Sequence, residues 1–489
     1  MNWRITDANI AVDQRAIMTR RFTLATVPGL LALSGCVVGP DYHAPQATML
    51  GVPPRYSVPS DQSAQAGNLR WWDQFGDPEL TRLELAGLVA NLDIAQALSR
   101  LRMVREALIQ TRSAAVPAIS ASGGYTRAQT VIAPAGANLS GDSLTFAADA
   151  AYQVDLFGGR SRAIEAASAD TDASRFGYGA VALTVQSSIA NAYLQVRLQQ
   201  ANLANARLAQ TNQADNLQIA DWRRQAGLIG DLDVELARTQ LAQTTAFIPQ
   251  IVSSLNQAIT QLGVLLGREP GALRAELAVW QPIPVGPASV AVGIPADVLR
   301  QRPDVRAAER ALGAATARIG VAQAALYPAL SLGGTIGTGP GALGNPFAVI
   351  TGQAFASIAQ TIFDGGRLRS VVRAQRDATQ GAFASYQQIV LTALADVENA
   401  IVALRSANQR QVQFDLAQGS ATNSATLAQQ QYRSGLIDYA ALLITEDLLI
   451  TSRNGVAQAR FDRAAALVQL YAALGGGWTD QDAVSGQDK

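Results

Sequence analysis

The sequence predicts a mainly α-helical chain with a smaller β part that lies in a membrane. Three observations carry this expectation. Two stretches of about 66 residues hold no proline and keep helical apolar spacing; the whole pattern occurs twice; and two glycine-rich segments alternate apolar and polar residues. The composition agrees. Of 489 residues, 48% are hydrophobic, and alanine, the best helix former, supplies much of that share. Lys plus Arg and Asp plus Glu both number 38, so no basic excess points to nucleic acid. One Cys and one His exclude an internal disulfide and a Cys/His zinc cluster. Catalysis with a histidine base would rest on His43 alone. No enzyme, metal or nucleic-acid partner is expected.

The N-terminus reads as an export leader. Residues 1–17 do not fit it and look like an extension or a misassigned start, with translation beginning at Met18. Residues 18–35 have the order of a lipoprotein signal peptide. Basic Arg20-Arg21 precedes an apolar run over 22–33, which ends in Leu33-Ser34-Gly35-Cys36. Small residues before a single cysteine form a lipobox, so Cys36 is expected to carry diacylglycerol and an N-acyl chain. The alternative is a chance cysteine after an ordinary signal. Each buried CH₂ adds about 0.8 kcal/mol, so two or three chains make a stable anchor in outer-membrane lipid. Val37, rather than Asp, follows the cysteine and fits sorting to the outer membrane. Loss of residues 1–35 removes Arg4, Arg15, Arg20, Arg21, Asp7 and Asp13, which leaves the mature chain at about −2. Residues 36–75 form the lipidated tether.

Two structural repeats follow, 76–267 and 301–474. Pro117-Ala118 returns as Pro328-Ala329, and Phe157-Gly158-Gly159-Arg160 returns as Phe363-Asp364-Gly365-Gly366-Arg367. Asn191-Ala192 returns as Asn399-Ala400, and Gly227-Leu228-Ile229 as Gly435-Leu436-Ile437. Matches in one order mark a duplicated unit. Each unit has a helical stretch (near 78–112 and 303–326), a Gly/Ser/Thr-rich segment, a long helix from 160 to about 226 or 367 to about 434, a glycine turn and a returning helix. At 1.5 Å per residue, each long helix reaches roughly 100 Å. The Pro-rich interval 268–300 connects the units, and 475–489 form a C-terminal tail. Pro303 suits the first turn of a helix, with Asp304 favoured by the dipole.

The Gly-rich segments, 117–157 and 328–363, are expected to be β-hairpins. Residues 319–363 hold no charge, yet prolines and glycines break them, so two short strands with a loop fit better than a spanning helix. Ile119, Ala121, Gly123 and Tyr125 share one face of a strand, as do Leu144, Phe146, Ala148, Ala150, Tyr152, Val154 and Leu156. Apolar outside and polar inside is the pattern of a transmembrane barrel, although a half-buried soluble hairpin shows it too. Two strands per unit make four per chain. Four cannot close, and open edges in lipid leave unpaired backbone groups. Three copies would supply twelve strands and a water-filled lumen.

These motifs together resemble the outer-membrane factor (TolC-like) family, in particular the NodT-type lipoproteins of resistance-nodulation-division pumps. The resemblance rests on Cys36-Val37-Val38-Gly39-Pro40-Asp41-Tyr42, Trp71-Trp72, Asp77-Pro78, Asn91-Leu92-Asp93-Ile94, Asp155-Leu156-Phe157-Gly158, Leu299-Arg300-Gln301-Arg302-Pro303-Asp304-Val305 and Ile319-Gly320-Val321-Ala322. It implies the outer-membrane efflux protein fold, in which long antiparallel helices form a periplasmic α-barrel below a trimeric twelve-stranded β-barrel. It implies a homotrimer that is the passive exit duct for drugs or other toxic compounds, with a periplasmic adaptor (membrane fusion) protein and an inner-membrane pump of the resistance-nodulation-division type as partners. It assigns the adaptor-docking tips to Gly227, Leu228, Ile229, Gly435, Leu436 and Ile437. It places pore-narrowing residues at Ala440 and Ile444. Many relatives carry Asp at the second position, so a carboxylate ring is in doubt here. Asp438, Glu446, Asp231 and Asp233 are the nearest acids. Ile444 either narrows an apolar constriction or packs against a neighbouring helix. Two other readings stay open: a type I secretion or metal-efflux duct, and a structural envelope lipoprotein without a pore.

Overall fold

The structure, a computed structural model, describes residues 37–60, 70–132, 137–339, 345 and 347–478. The leader, Cys36, part of the tether and residues 479–489 of the tail lie outside the described residues. Eight α-helices, two short 3-10 helices (Ala47–Leu50 and Trp71–Phe75) and four strands are described. In the first unit, α1 (Pro78–Ala90) and α2 (Leu92–Ser113) lead into β1 (Ala118–Ile132) and β2 (Ala137–Val154), and then into α3 (Gly159–Gln225) and α4 (Asp231–Leu265). The second unit repeats the order with α5 (Pro295–Gln301), α6 (Pro303–Ala324), β3 (Ala329–Thr338), β4 (Ile350–Ala359), α7 (Arg367–Arg433) and α8 (Tyr439–Ala473).

The long helices form because nothing interrupts them. Both α3 and α7 run 67 residues, so each extends roughly 100 Å. Each opens after a glycine in the left-handed region, Gly158 at φ 75° and Gly366 at φ 88°, where a side chain would be strained. The returning helices α4 and α8 each have 35 residues. Pro249 lies inside α4, where it removes one intrahelical hydrogen bond.

The helix expected near 78–112 is two helices. Asn91 is extended and caps α2, its Oδ1 accepting from Asp93 N (2.8 Å) and Ile94 N (3.1 Å). Its Nδ2 donates to Leu265 O at 2.7 Å, which ties the break to the end of α4. The connector also differs from expectation: its last residues, from Pro295, form α5. Pro303 does open α6, and Asp304 both fills its first turn and pairs with Arg302.

One antiparallel sheet holds the strands in the order β1-β2-β3-β4. Its register aligns the apolar sets of all four. Ile119 faces Ala150, Ala121 faces Ala148, Gly123 faces Phe146 and Tyr125 faces Leu144. Ala148 then faces Ile336, Tyr152 faces Leu332 and Val154 faces Leu330. Leu332 in turn faces Ala356, and Leu330 faces Ile358. Because strand residues alternate, these residues share one side, and Asp149, Gln153, Ser331, Thr335, Gln353 and Ser357 share the other. Thr335 Oγ1 donates to Asp149 Oδ1 at 2.7 Å on that polar side. Among the described residues, the outer strands β1 and β4 bond to a strand on one side only.

The main core lies midway along the helices, where α1, α3, α4, α7 and α8 meet. Trp71 and Trp72 are fully buried there, and Trp71 stacks on Tyr471 with ring centroids 5.7 Å apart. A smaller core of Ala220, Val234, Ala237, Ala428, Tyr432, Tyr439 and Leu442 closes the far end of the helices.

Candidate functional site

Three places bear on function: the sheet edges, the tether junction and the helical tips. At the junction, the residues that follow Cys36 are fixed where β2 passes into α3. Val38 N donates to Phe157 O at 3.1 Å. A methyl group on Gly158 would sit 2.7 Å from Val37 Cγ1, and one on Gly39 would sit 2.5 Å from Gly320 Cα. Gly39 also has φ 103°, so both its backbone angle and its packing require glycine. Arg162, near the start of α3, gathers this segment. Its Nη2 donates to Asp41 Oδ1 (2.5 Å) and Gly39 O (3.3 Å), and its Nη1 donates to Glu165 Oε2 (2.7 Å). The Arg162 guanidinium holds the Asp41 carboxyl below the usual carboxylate range. Sequence reasoning did not find Arg162; its signal was only a basic residue after the Gly-Gly-Arg repeat. Farther along, Ser57 N and Oγ donate to Glu398, each at 2.6 Å.

Arg302, from the Leu299–Val305 motif, serves as a structural tie. It is buried, and it bonds Asp304 Oδ1 (3.0 Å) and Oδ2 (2.7 Å), Asp396 Oδ2 (3.1 Å) and Ala473 O (3.2 Å). It thereby joins the α5–α6 junction to α7 and to the end of α8.

At the tips, the two glycine turns match. Gly227 has φ 70° and Gly435 φ 76°. Leu228 N donates back to Arg223 O at 2.9 Å, and Leu436 N to Gln431 O at 2.8 Å, a left-handed helix stop in both units. Leu228 and Leu436 point outward, 69% and 76% exposed. Ile229 and Ile437 instead pack on the tip core, which narrows the exposed part of the predicted docking turns. Asp438 caps α8, accepting from Ala441 N at 2.9 Å. Asp231 lies in the first turn of α4 and pairs with Arg224 at 3.5 Å. Asp233 shares that turn. Ala440, Ile444 and Leu448 share one exposed face of α8, with Ile444 69% exposed. The packing alternative for Ile444 has no support within one protomer.

The two helical hairpins are joined near the tip by contacts that sequence reasoning missed. Arg223 Nη1 donates to Tyr432 O at 2.8 Å, and its guanidinium lies 4.8 Å from the Tyr432 ring centroid. Asn216 Nδ2 donates to Glu446 Oε1 at 2.5 Å, and Gln240 Nε2 to Asp447 Oδ1 at 2.9 Å. Burial pushes both carboxyls, Glu446 and Asp447, above the usual range. Among the described residues, no group of three or more metal-ligating side chains gathers, and no helix is long and apolar enough to cross a membrane.

The outer membrane efflux protein family model matches residues 87–268 and again 294–476, once for each unit. The chain belongs to the outer membrane efflux protein family. It is similar to nodulation protein T of Rhizobium leguminosarum bv. trifolii, 30% identical, with 94% of this chain and 98% of the relative covered. It is also similar to the pyoverdine export outer membrane protein OpmQ of Pseudomonas aeruginosa, 28% identical over 95% of this chain and 99% of that protein. Among solved structures, the outer-membrane channel OprN superposes with a TM-score of 0.82 at 30% identity, over 91% of this chain and all of that one. This efflux channel subunit therefore sits in the outer membrane, by its sheet, and extends into the periplasm, by its helices. The resemblance drawn from the motifs and the expected fold class both hold.

Proposed function

We propose that the chain is one third of a sealed duct, the passive outer-membrane exit of a tripartite pump for drugs or other toxic compounds. The single observation that carries this is the sheet. Its apolar side is continuous across four strands, yet β1 and β4 each leave an edge without a partner. In lipid an unpaired edge costs several kcal/mol per group, so the edges must meet those of other copies. Three copies give twelve strands over twelve long helical segments, four from each chain. A scaffold without a pore would need neither the apolar side nor the matched edges. The family's members are channel proteins, and we assign no catalysis and no cofactor to this one; energy comes from an inner-membrane pump of the resistance-nodulation-division type through a periplasmic adaptor. The adaptor docks at Leu228 and Leu436 and their turns.

The anchor belongs to the same reading. Val37 rests on Gly158 at the strand–helix junction, so the described tether starts beside the sheet, and we assign to Cys36 acyl chains that enter the bilayer. At the gate, Ala440 and Ile444 with Leu448 make an apolar constriction, flanked by the acids of the tips. Purified acylated protein should run as a trimer and conduct ions in planar bilayers. In the same assay, Ile444→Asp should introduce block by divalent cations that the wild type lacks. A lone protomer that leaves bilayers impermeable would remove the duct; an unchanged cation response in Ile444→Asp would remove the gate assignment alone.

A further inference from the structure

We propose that the seam between α3 and α8 at the periplasmic tip is a proton-operated latch: one proton on Glu446 Oε2 lets the Glu446 carboxyl and the Asn216 amide hold each other by two hydrogen bonds and keeps the tip shut, and loss of that proton releases it. The proposal rests on the duct reading above and adds its regulation.

One proton would satisfy both of the unmet atoms at the seam. Asn216 has no exposed surface, and its Nδ2 donates to Glu446 Oε1 at 2.5 Å. The other polar atom of each group, Asn216 Oδ1 and Glu446 Oε2, is buried without a partner. In the carboxylate form both are acceptors, and a buried acceptor without a donor is costly. A proton on Oε2 makes it a donor, and Oδ1 is the acceptor left over by the same amide. Donors stand in the surroundings, but none of them is engaged with Oε2. Gln213, one turn earlier on α3, is buried with both its Oε1 and Nε2 unpartnered, and the hydroxyls of Tyr432 and Tyr439 are unpartnered too.

The charges facing Glu446 do not favour its ionised form. Its own helix brings Asp447, whose negative charge opposes ionisation, and Tyr439. From α3 come the amides of Gln213 and Asn216. From α7 comes Tyr432, whose ring is covered by the Arg223 guanidinium of α3. From α4, Gln240 is turned to Asp447, and Asp233 acts on Tyr432. Burial and, secondarily, Asp447 raise the Glu446 pKa, against the opposing Asn216 hydrogen bond. A carboxyl raised in the closed state stabilises that state fully below its ordinary range and ceases to do so as pH rises through the raised value. The proton leaves to water, so the closed tip is favoured in acid and released toward alkaline pH.

The test is conductance of the purified, acylated full chain in planar bilayers from pH 5 to pH 9. The wild type should open several-fold more at the alkaline end. Glu446→Gln carries a permanent donor in place of the acid proton, so it should stay at the low, acid-state conductance across the range. Asp447→Asn should still titrate, with its midpoint moved down. Asn216→Asp puts a second carboxyl against the first, and should move the midpoint up by about one pH unit or more. A wild type indifferent to pH, or Glu446→Gln that titrates like the wild type, overturns the latch and leaves the duct standing. Should Glu446→Gln fail to assemble, Asn216→Asp decides, and an unmoved midpoint overturns the proposal. Silence of every variant at every pH overturns the duct reading and the latch together.

Discussion

Glu84, in α1, is fully buried and neither of its carboxylate oxygens has a hydrogen-bond partner. Burial pushes its pKa well above the usual carboxylate range, against an opposing pull from the Ala190 backbone. A raised carboxyl stabilises the fold at low pH and loses that contribution as pH rises through the raised value. Glu84→Gln should therefore raise the thermal midpoint by about 2–4 °C at pH 8 and leave it unchanged near pH 4; an equal shift at both values would assign the effect to packing. Nothing in the sequence singled this residue out, because a glutamate in a helix is ordinarily a solvated one. Arg162 and Arg302 were hidden for a similar reason. Their roles depend on carboxylates far away in the chain, Asp41 and Asp396, which only the folded chain brings near. By contrast, Gly227 and Gly435 were legible, since a glycine that ends a long helix has one common use, the left-handed stop.

Among the elements, the strands show how much a periodic pattern can say. The alternation in 119–125 and 144–156 gave the faces of β1 and β2, and the structure extends β2 back to Ala137. The pairing of β2 with β3 was not legible, because it joins segments about 180 residues apart with no turn to fix their register. That pairing makes the apolar side continuous, and it can be probed there. Ile336 lies on the apolar side and Thr335, beside Asp149, on the polar one. Ile336→Lys should cost about 2–4 kcal/mol in a bilayer, whereas Thr335→Lys should be tolerated. The fraction of heat-resistant trimer after folding into vesicles measures both, and equal losses would contradict the assigned faces. Helix lengths were legible from the absence of proline, but the break at Asn91 was not. Asparagine is common on helix surfaces, and its capping role shows only when Asp93 N and Ile94 N turn toward it.

For the whole molecule, the proposed duct makes four strands depend on other copies. The two edges can be separated from the fold of the helices. Successive N–H groups along β4 alternate between β3 and the free edge, so of Phe355→Pro and Ala356→Pro one removes an outward donor and the other a ladder donor. The outward variant should abolish trimers while its helical circular dichroism is unchanged. Trimers from both variants would mean that the edges do not join. The two-unit order of the chain was legible from the duplication, while the seams between hairpins were not: Arg223, Asn216 and Gln240 read as ordinary polar residues of a long helix until their partners on α7 and α8 are in place.

The two units spend the same lengths on their descending and returning helices, 67 and 35 residues in each. Both hairpins consequently bottom out at one level, and a threefold assembly would end in a flat crown of six knobs rather than three. Neighbouring knobs would alternate in kind: one carries Leu228 at its turn, the other Leu436. A partner seated on that crown meets almost the same relief every sixty degrees, so its stoichiometry would depend on the small chemical differences between alternate knobs rather than on their height.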